Sequence, residues 1–488
     1  LTVTGTSGIN AGANSITLNT SGNDFGGAVT VDNTGANNVA LNNGNHALTV
    51  GTGTGLVGGN LGTTTTGTGT TIFGTTSAGS LTVSSGGAVS QTGGVTVTGT
   101  SGINAGANAI NLSTSANDFG GAVTLTTTGT ANNAALNNGA NALSFAANVS
   151  GDLTIKSGNT TATGALVSGG TMTLTTATLG LGQNVSAATV KVVNSGALTG
   201  SGLVTAGTLN LDGSASVGSS GAGEALNTKV GSISLGETAP GNKKPAANNW
   251  INQSIGTAVD IGGATDGGSV TLTAGATTVG KAILNAGAGN VTLNTTTFGL
   301  GQNVDGATVT FNNSGTLTLQ AAVISPGKSP GSTIVTLKGT SGVNFDGSGN
   351  VVFNSPVYFA GSGGSYNETT TVSASVQNPV LEFAAIGYSV GDVYLDGENP
   401  VISTPGAIVI GGKFYIDGVP GVPVFENFIA PAAPTFSAAN TSQDANDVFG
   451  ALQQKEKMPK VEGAEMTPEP AVILPALVIP VSSYPTMQ

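Results

Sequence analysis

Short runs in which a polar residue sits between two apolar ones recur along the chain, at 16–18, 29–31, 48–50, 81–83, 95–97, 110–112, 123–125 and 143–145. Alternation with a period of two predicts half-buried β-strands, and the Gly-Thr, Asn-Asn-Gly and Ser-Gly clusters between the runs predict tight turns. The runs follow one another in steps of about 13 to 20 residues, the length a coil of two or three short strands needs. An all-β chain built as a right-handed parallel β-helix, a β-solenoid, is therefore expected.

Self-similarity strengthens that expectation. The segment from Val3 to Asn14 returns from Val97 to Asn108, and Asn23-Asp24-Phe25-Gly26-Gly27-Ala28-Val29-Thr30 returns from Asn117 to Thr124. A second repeat begins at Gly180-Leu181-Gly182-Gln183-Asn184-Val185 and recurs at Gly299-Leu300-Gly301-Gln302-Asn303-Val304. Repeats of this kind bury their apolar faces only by stacking on their neighbours. With turns of roughly 19 residues, about eighteen coils are expected across 1–354, in a rod about 85 Å long.

Three stretches depart from the pattern. Residues 237–253 carry Pro240, Lys243, Lys244, Pro245 and the single tryptophan, Trp250, and are expected to leave the coil as a loop. From about residue 355 to 430 aromatic residues accumulate, with five of the six tyrosines, and a separate aromatic-rich β module is expected there. Residues 431–488 are rich in Pro, Ala and Ser and read as an extended arm with an apolar tail.

Charge changes the picture more than composition does. Only Asp24, Asp32 and Asp118 are ionised side chains in the first 150 residues, so ion pairs cannot hold that part together. Its surface must be Thr, Asn and Ser, which can form hydrogen-bonded rows where equivalent positions stack. A net charge of -12 with no arginine argues against nucleic acid, whose phosphates need clustered cations. With no cysteine there is neither disulfide nor thiolate metal site. The most apolar stretch, 471–481, is broken by Pro475 and Pro480 and is too short for a transmembrane helix. Residue 1 already lies within the strand pattern, so the chain is expected to be a piece of a longer precursor.

The unit from Ser115 to Val123, with its copy from Ser21 to Val29, resembles the repeats of filamentous haemagglutinin-like adhesins and related autotransporter passengers of Gram-negative bacteria. The resemblance covers roughly residues 1 to 350. It implies a secreted β-helical fibre at the bacterial cell surface that mediates attachment or matrix building.

Candidate sites are few. Carbohydrate-active β-helix enzymes need clustered acids, bases or cations along one face, and this chain is poor in them; no catalytic residue is assigned. The lone His46 sits in an Asn-Gly-Asn-His turn and reads as a surface residue, while Asp24 and Asp118 are expected to brace turns beside Phe25 and Phe119. The Asp346 to Asn350 run has oxygen ligands at alternate positions but lacks the glycine and glutamate of a calcium loop, and Gly262 to Gly268 is a single nonapeptide-like copy where stacked copies are needed. No metal or cofactor is assigned.

Two groups remain as contacts for partners. Lys243, Lys244 and Trp250 suit a host or environmental surface, or a glycan, since an exposed tryptophan beside paired cations is costly to leave unused; the alternative is that Trp250 folds back over a coil. Val472, Ile473, Leu474, Leu477, Val478 and Ile479 could add as an extended strand to an edge of another copy, or pack on their own chain. The expected role is an extracellular structural or adhesive protein, a filament subunit joined end to end. A monomeric adhesin is the alternative.

Overall fold

In the computed structural model, residues 1–313 are described except 53–55, 115, 214, 222, 237–247, 255–256, 281, 301 and 303; beyond residue 313 only the strands are described, as backbone. No helix occurs among the described residues. The chain forms a parallel β-solenoid of about 13 turns, which at about 4.8 Å per turn makes a rod about 60 Å long.

The alternating runs become strands where the pattern predicts them. Ile16–Leu18, Val95–Val97 and Ile110–Leu112 keep the expected limits, and the other runs fall within Val29–Asp32, Leu48–Thr52, Thr76–Ser84, Ala122–Thr126 and Leu143–Val149. Turns are longer than the expected 19 residues in the first part: Ser7 lies beside Val29 and Val123 beside Phe145, each 22 residues on. They shorten to 19 at Leu166, Val185 and Val204, then lengthen to 24 at Thr228. Longer turns make fewer of them, which is why the eighteen expected coils are too many.

Stacking fills the interior with columns of like residues. Val29, Val50 and Phe73 lie in register, as do Ile16, Val39, Leu61 and Leu81 on another face. Farther along, Leu153, Met172, Val190, Leu209, Ile233 and Ile261 continue the first of these ladders. All of them are 0–5% exposed. A fully buried side chain of this size contributes roughly 1.5–3 kcal/mol, so the rod is held by its core.

The repeated Phe-Gly-Gly serves one corner. Phe25 and Phe119 are fully buried, and the chain then turns so closely over the previous coil that a Cβ on Gly27 would stand 2.5 Å from the Gly5 carbonyl oxygen. Gly121 meets Gly99 still more closely. Only glycine allows this approach.

One expectation needs correction. Of the stretch 237–253 expected as a loop, Asn249–Gln253 is a strand, paired in parallel with 226–228 on one side and 270–273 on the other. Its inward residues are Asn249, Ile251 and Gln253, all buried. Two of the three are amides, which hides the alternation from any reading based on apolar residues. The amides belong there because they are bonded: Thr228 Oγ1 donates to Gln253 Oε1 (2.7 Å), and Gln253 Nε2 donates to the Val230 carbonyl (2.7 Å). Residues 237–247 lie outside the described residues.

Parallel pairing carries across residue 354. Val351–Phe353 pairs with Val380–Phe383, which pairs with Val401–Ser403, and that strand pairs with Val424–Glu426. One pairing is antiparallel, Phe414–Ile416 with Val419–Pro420. The expected arm, 431–488, lies outside the described residues.

Candidate binding and assembly surfaces

The side chains expected to meet partners are placed unevenly. Lys243, Lys244 and the tail residues Val472, Ile473, Leu474, Leu477, Val478 and Ile479 lie outside the described residues. Trp250 is described, and it sits on a sheet face. It is half-buried at an outward position of Asn249–Gln253, directly beside Thr271 of the next coil.

Around Trp250 the coils repeat every 21 residues, so equivalent side chains form straight rows. Trp250, Thr271 and Thr292 make one row, and Asn252, Thr273 and Asn294 make the next. A third row, Asn248, Ser269 and Asn290, borders them where the strands begin; Ser269 N–H donates to Asn248 Oδ1 (3.0 Å) and Asn290 N–H to Ser269 Oγ (3.0 Å). Asn252 Nδ2 also reaches back to Asn227 Oδ1 (3.1 Å), and Asn294 Nδ2 to Thr273 Oγ1 (3.2 Å). Beneath this face Ile251, Leu272 and Leu293 are 0–2% exposed, so the backing is a packed core.

Spacing is set by the backbone. Neighbouring rows are about 6.6 Å apart along the strand and positions within a row about 4.8 Å apart. The nine positions form a flat lattice of amides and hydroxyls with an indole at its edge. None of the nine is ionisable. Lys229, exposed two residues past Asn227, is a cation beside it.

Charged groups elsewhere are sparse. His46 Nδ1 lies 3.7 Å from Asp24 Oδ1, with both side chains more than a third exposed. Asp118 is exposed in the second copy, where Asn141 takes the place of the histidine and donates to the Asn117 carbonyl (3.2 Å). Asp212 is the one charged side chain in the core of the described residues, and Lys191 Nζ stands 3.5 Å from it. Among the described residues no three His, Cys, Asp or Glu side chains gather as a metal site would require. Gly262 and Gly263 end the strand Ala258–Ala264, and Thr265 Oγ1 closes the following turn on the Gly268 carbonyl (2.6 Å). Asp346 and Gly347 end the strand 335–347, and 348–350 lie outside the described residues.

Sequence reasoning singled out Trp250 and missed the lattice around it. The available signal was the constant spacing: Trp250-x-Asn252, Thr271-x-Thr273 and Thr292-x-Asn294 each follow the last by 21 residues. It passes unnoticed because the repeat conserves outwardness and polarity while the residues change.

No helix among the described residues is long and apolar enough to cross a membrane. Residues 1–32 and 58–126 match a family described as repeats of unknown function (DUF5649). No curated protein and no solved structure matches the chain. What the chain is similar to is thus a repeat family, carried by the coils that contain the two Phe-Gly-Gly corners.

Proposed function

We propose that this chain is an extracellular structural or adhesive protein of the bacterial cell surface, a non-enzymatic solenoid of the filamentous haemagglutinin-like kind. It assembles end to end through its C-terminal arm, with Val472, Ile473, Leu474, Leu477, Val478 and Ile479 docking on another copy. The observation that carries this reading is the parallel ladder itself. It stacks coil on coil around one apolar core while the first 150 residues expose almost nothing but neutral polar side chains. Such a rod is stiff along one axis and indifferent to salt, as a fibre outside a cell needs to be.

Heterologous contacts between the end of one rod and the next need not close, so they propagate as filaments. Electron microscopy of the purified chain tests this: filaments are expected, and deleting 471–488 is expected to abolish them while leaving the circular dichroism of the rod unchanged. Filaments that persist without those residues overturn the tail as the joint. A second reading, a monomeric adhesin, is favoured by Trp250 standing at an outward position of a flat face.

A further inference from the structure

The geometry points to the lattice around Trp250 as a binding face for an extended, neutral polysaccharide. Three observations carry it. First, the face is chemically matched: the half-exposed indole offers an electron-rich ring to the polarised C–H face of a sugar, as aromatic rings accept positive edges. Thr271, Thr292, Asn252, Thr273 and Asn294 surround it with donors and acceptors suited to ring hydroxyls.

Second, the face is preorganised. The inward residues of the same three strands are packed, and neighbouring rows are already tied by the Asn252–Asn227 and Asn294–Thr273 hydrogen bonds. A partner that lies flat on it orders little that is not ordered already, which lowers the entropic cost of binding. Third, the charge selects the polymer. Six uncharged side chains on a protein of net charge -12 give a polyanion nothing to pair with except Lys229 at the border, and the overall field repels it. A neutral chain meets neither obstacle. Repetition of the face at a constant spacing suits a ligand that is itself a repeat, with each sugar of the chain meeting the same chemistry one coil farther on.

This face works whether the rods assemble or stay single, so its test is separate from that of the filament. The full chain is mixed with microcrystalline cellulose, with chitin and, as the acidic control, with calcium-alginate beads, and the retained fraction is measured at low and high salt. Retention on a neutral polymer, unchanged by salt, is expected. Trp250→Ala is expected to lower the apparent affinity at least about tenfold, and Trp250→Tyr to keep most of it. Because Trp250→Ala could loosen the coil, Thr271→Lys and Thr292→Lys serve as a second pair. Both are outward strand positions, and retention is expected to fall with circular dichroism unchanged. Lack of retention on both neutral polymers overturns the proposal, as does retention that none of these substitutions alters, or retention on alginate alone that salt abolishes. Electron microscopy of Trp250→Ala keeps the two readings apart, since filaments are expected to form as before.

Discussion

The two copies of the fifty-residue unit can be compared bond by bond. In the first, Asn43 Oδ1 accepts from the Phe25 amide (2.7 Å) and its Nδ2 donates to the Ala47 carbonyl (2.6 Å); in the second, Asn138 does the same for Phe119 (2.8 Å) and Ala142 (2.8 Å). Asn23 bonds the carbonyls of Leu18 and Asn42, and Asn117 bonds those of Leu112 and Asn137. Here identical residues make identical contacts.

The copies diverge at the next corner, and that divergence is more instructive. Asn33 donates from Nδ2 to the Asn37 carbonyl (2.8 Å) and accepts at Oδ1 from the Gly58 amide (3.1 Å). Its counterpart is Thr127, whose single hydroxyl donates to the Asn132 carbonyl (2.8 Å) and accepts from the Ser150 amide (3.0 Å). Thr65 brackets another corner in the same way, donating to Gly69 (2.6 Å) and accepting from Gly86 (3.2 Å). What the corner requires is a small buried group that both donates and accepts, so that a backbone carbonyl on one coil and an amide on the next are satisfied together. Asparagine meets the requirement with two atoms and threonine with one.

Breaking the shared contact should have the largest effect. Asn138→Leu leaves the Phe119 amide and the Ala142 carbonyl buried without partners, and a local loss of about 2–5 kcal/mol is expected. Asn43→Leu should cost the same within about 1 kcal/mol if the copies are equivalent. Hydrogen exchange at the Phe119 and Phe25 amides measures both, which suits a rod whose coils need not unfold together. Unequal losses would mean that position along the rod matters more than the bond.

The corner glycines come next. Gly121→Ala and Gly27→Ala each push a Cβ into the backbone of the coil before, and about 1–3 kcal/mol of destabilisation is expected. Gly102→Ala and Gly8→Ala are the matched controls, because a Cβ there meets no atom within 4 Å; they should change local stability by less than about 0.5 kcal/mol. A similar loss at all four positions in hydrogen exchange would show that glycine matters here for some reason other than close approach.

The smallest effect sharpens the comparison most. Thr127→Asn imports the first copy's residue and should shift the exchange of the Ser150 amide by less than about 1 kcal/mol, whereas the isosteric Thr127→Val, which keeps the shape and removes both bonds, should cost about 1–3 kcal/mol. If valine is tolerated as well as asparagine, the corner selects shape and the hydrogen-bond account is wrong.

Much of this architecture is legible before any coordinates. The triplet at 95–97 reads as a strand because valine alternates with threonine, and Phe25-Gly26-Gly27 is recognisable because it is written again at Phe119-Gly120-Gly121. The strand Asn249–Gln253 is not, since its inward amides look like surface residues until their partners on the neighbouring coil are known. Asn33 and Thr127 do not align by identity, so their common task is invisible along the chain.

By itself the sequence determined the period-two strands, the repeating coil and the near absence of charge, because each of these is a property of neighbours along the chain and survives without any knowledge of contacts. Tertiary structure alone decided how many residues make a turn, which polar side chains are interior brackets and which form the outward lattice beside Trp250. The physical reason is that in a parallel solenoid every residue's closest partners lie about twenty residues away, one coil above and one below. Register across that gap, which no local pattern encodes, turns an asparagine into a buried corner or an exposed lattice point.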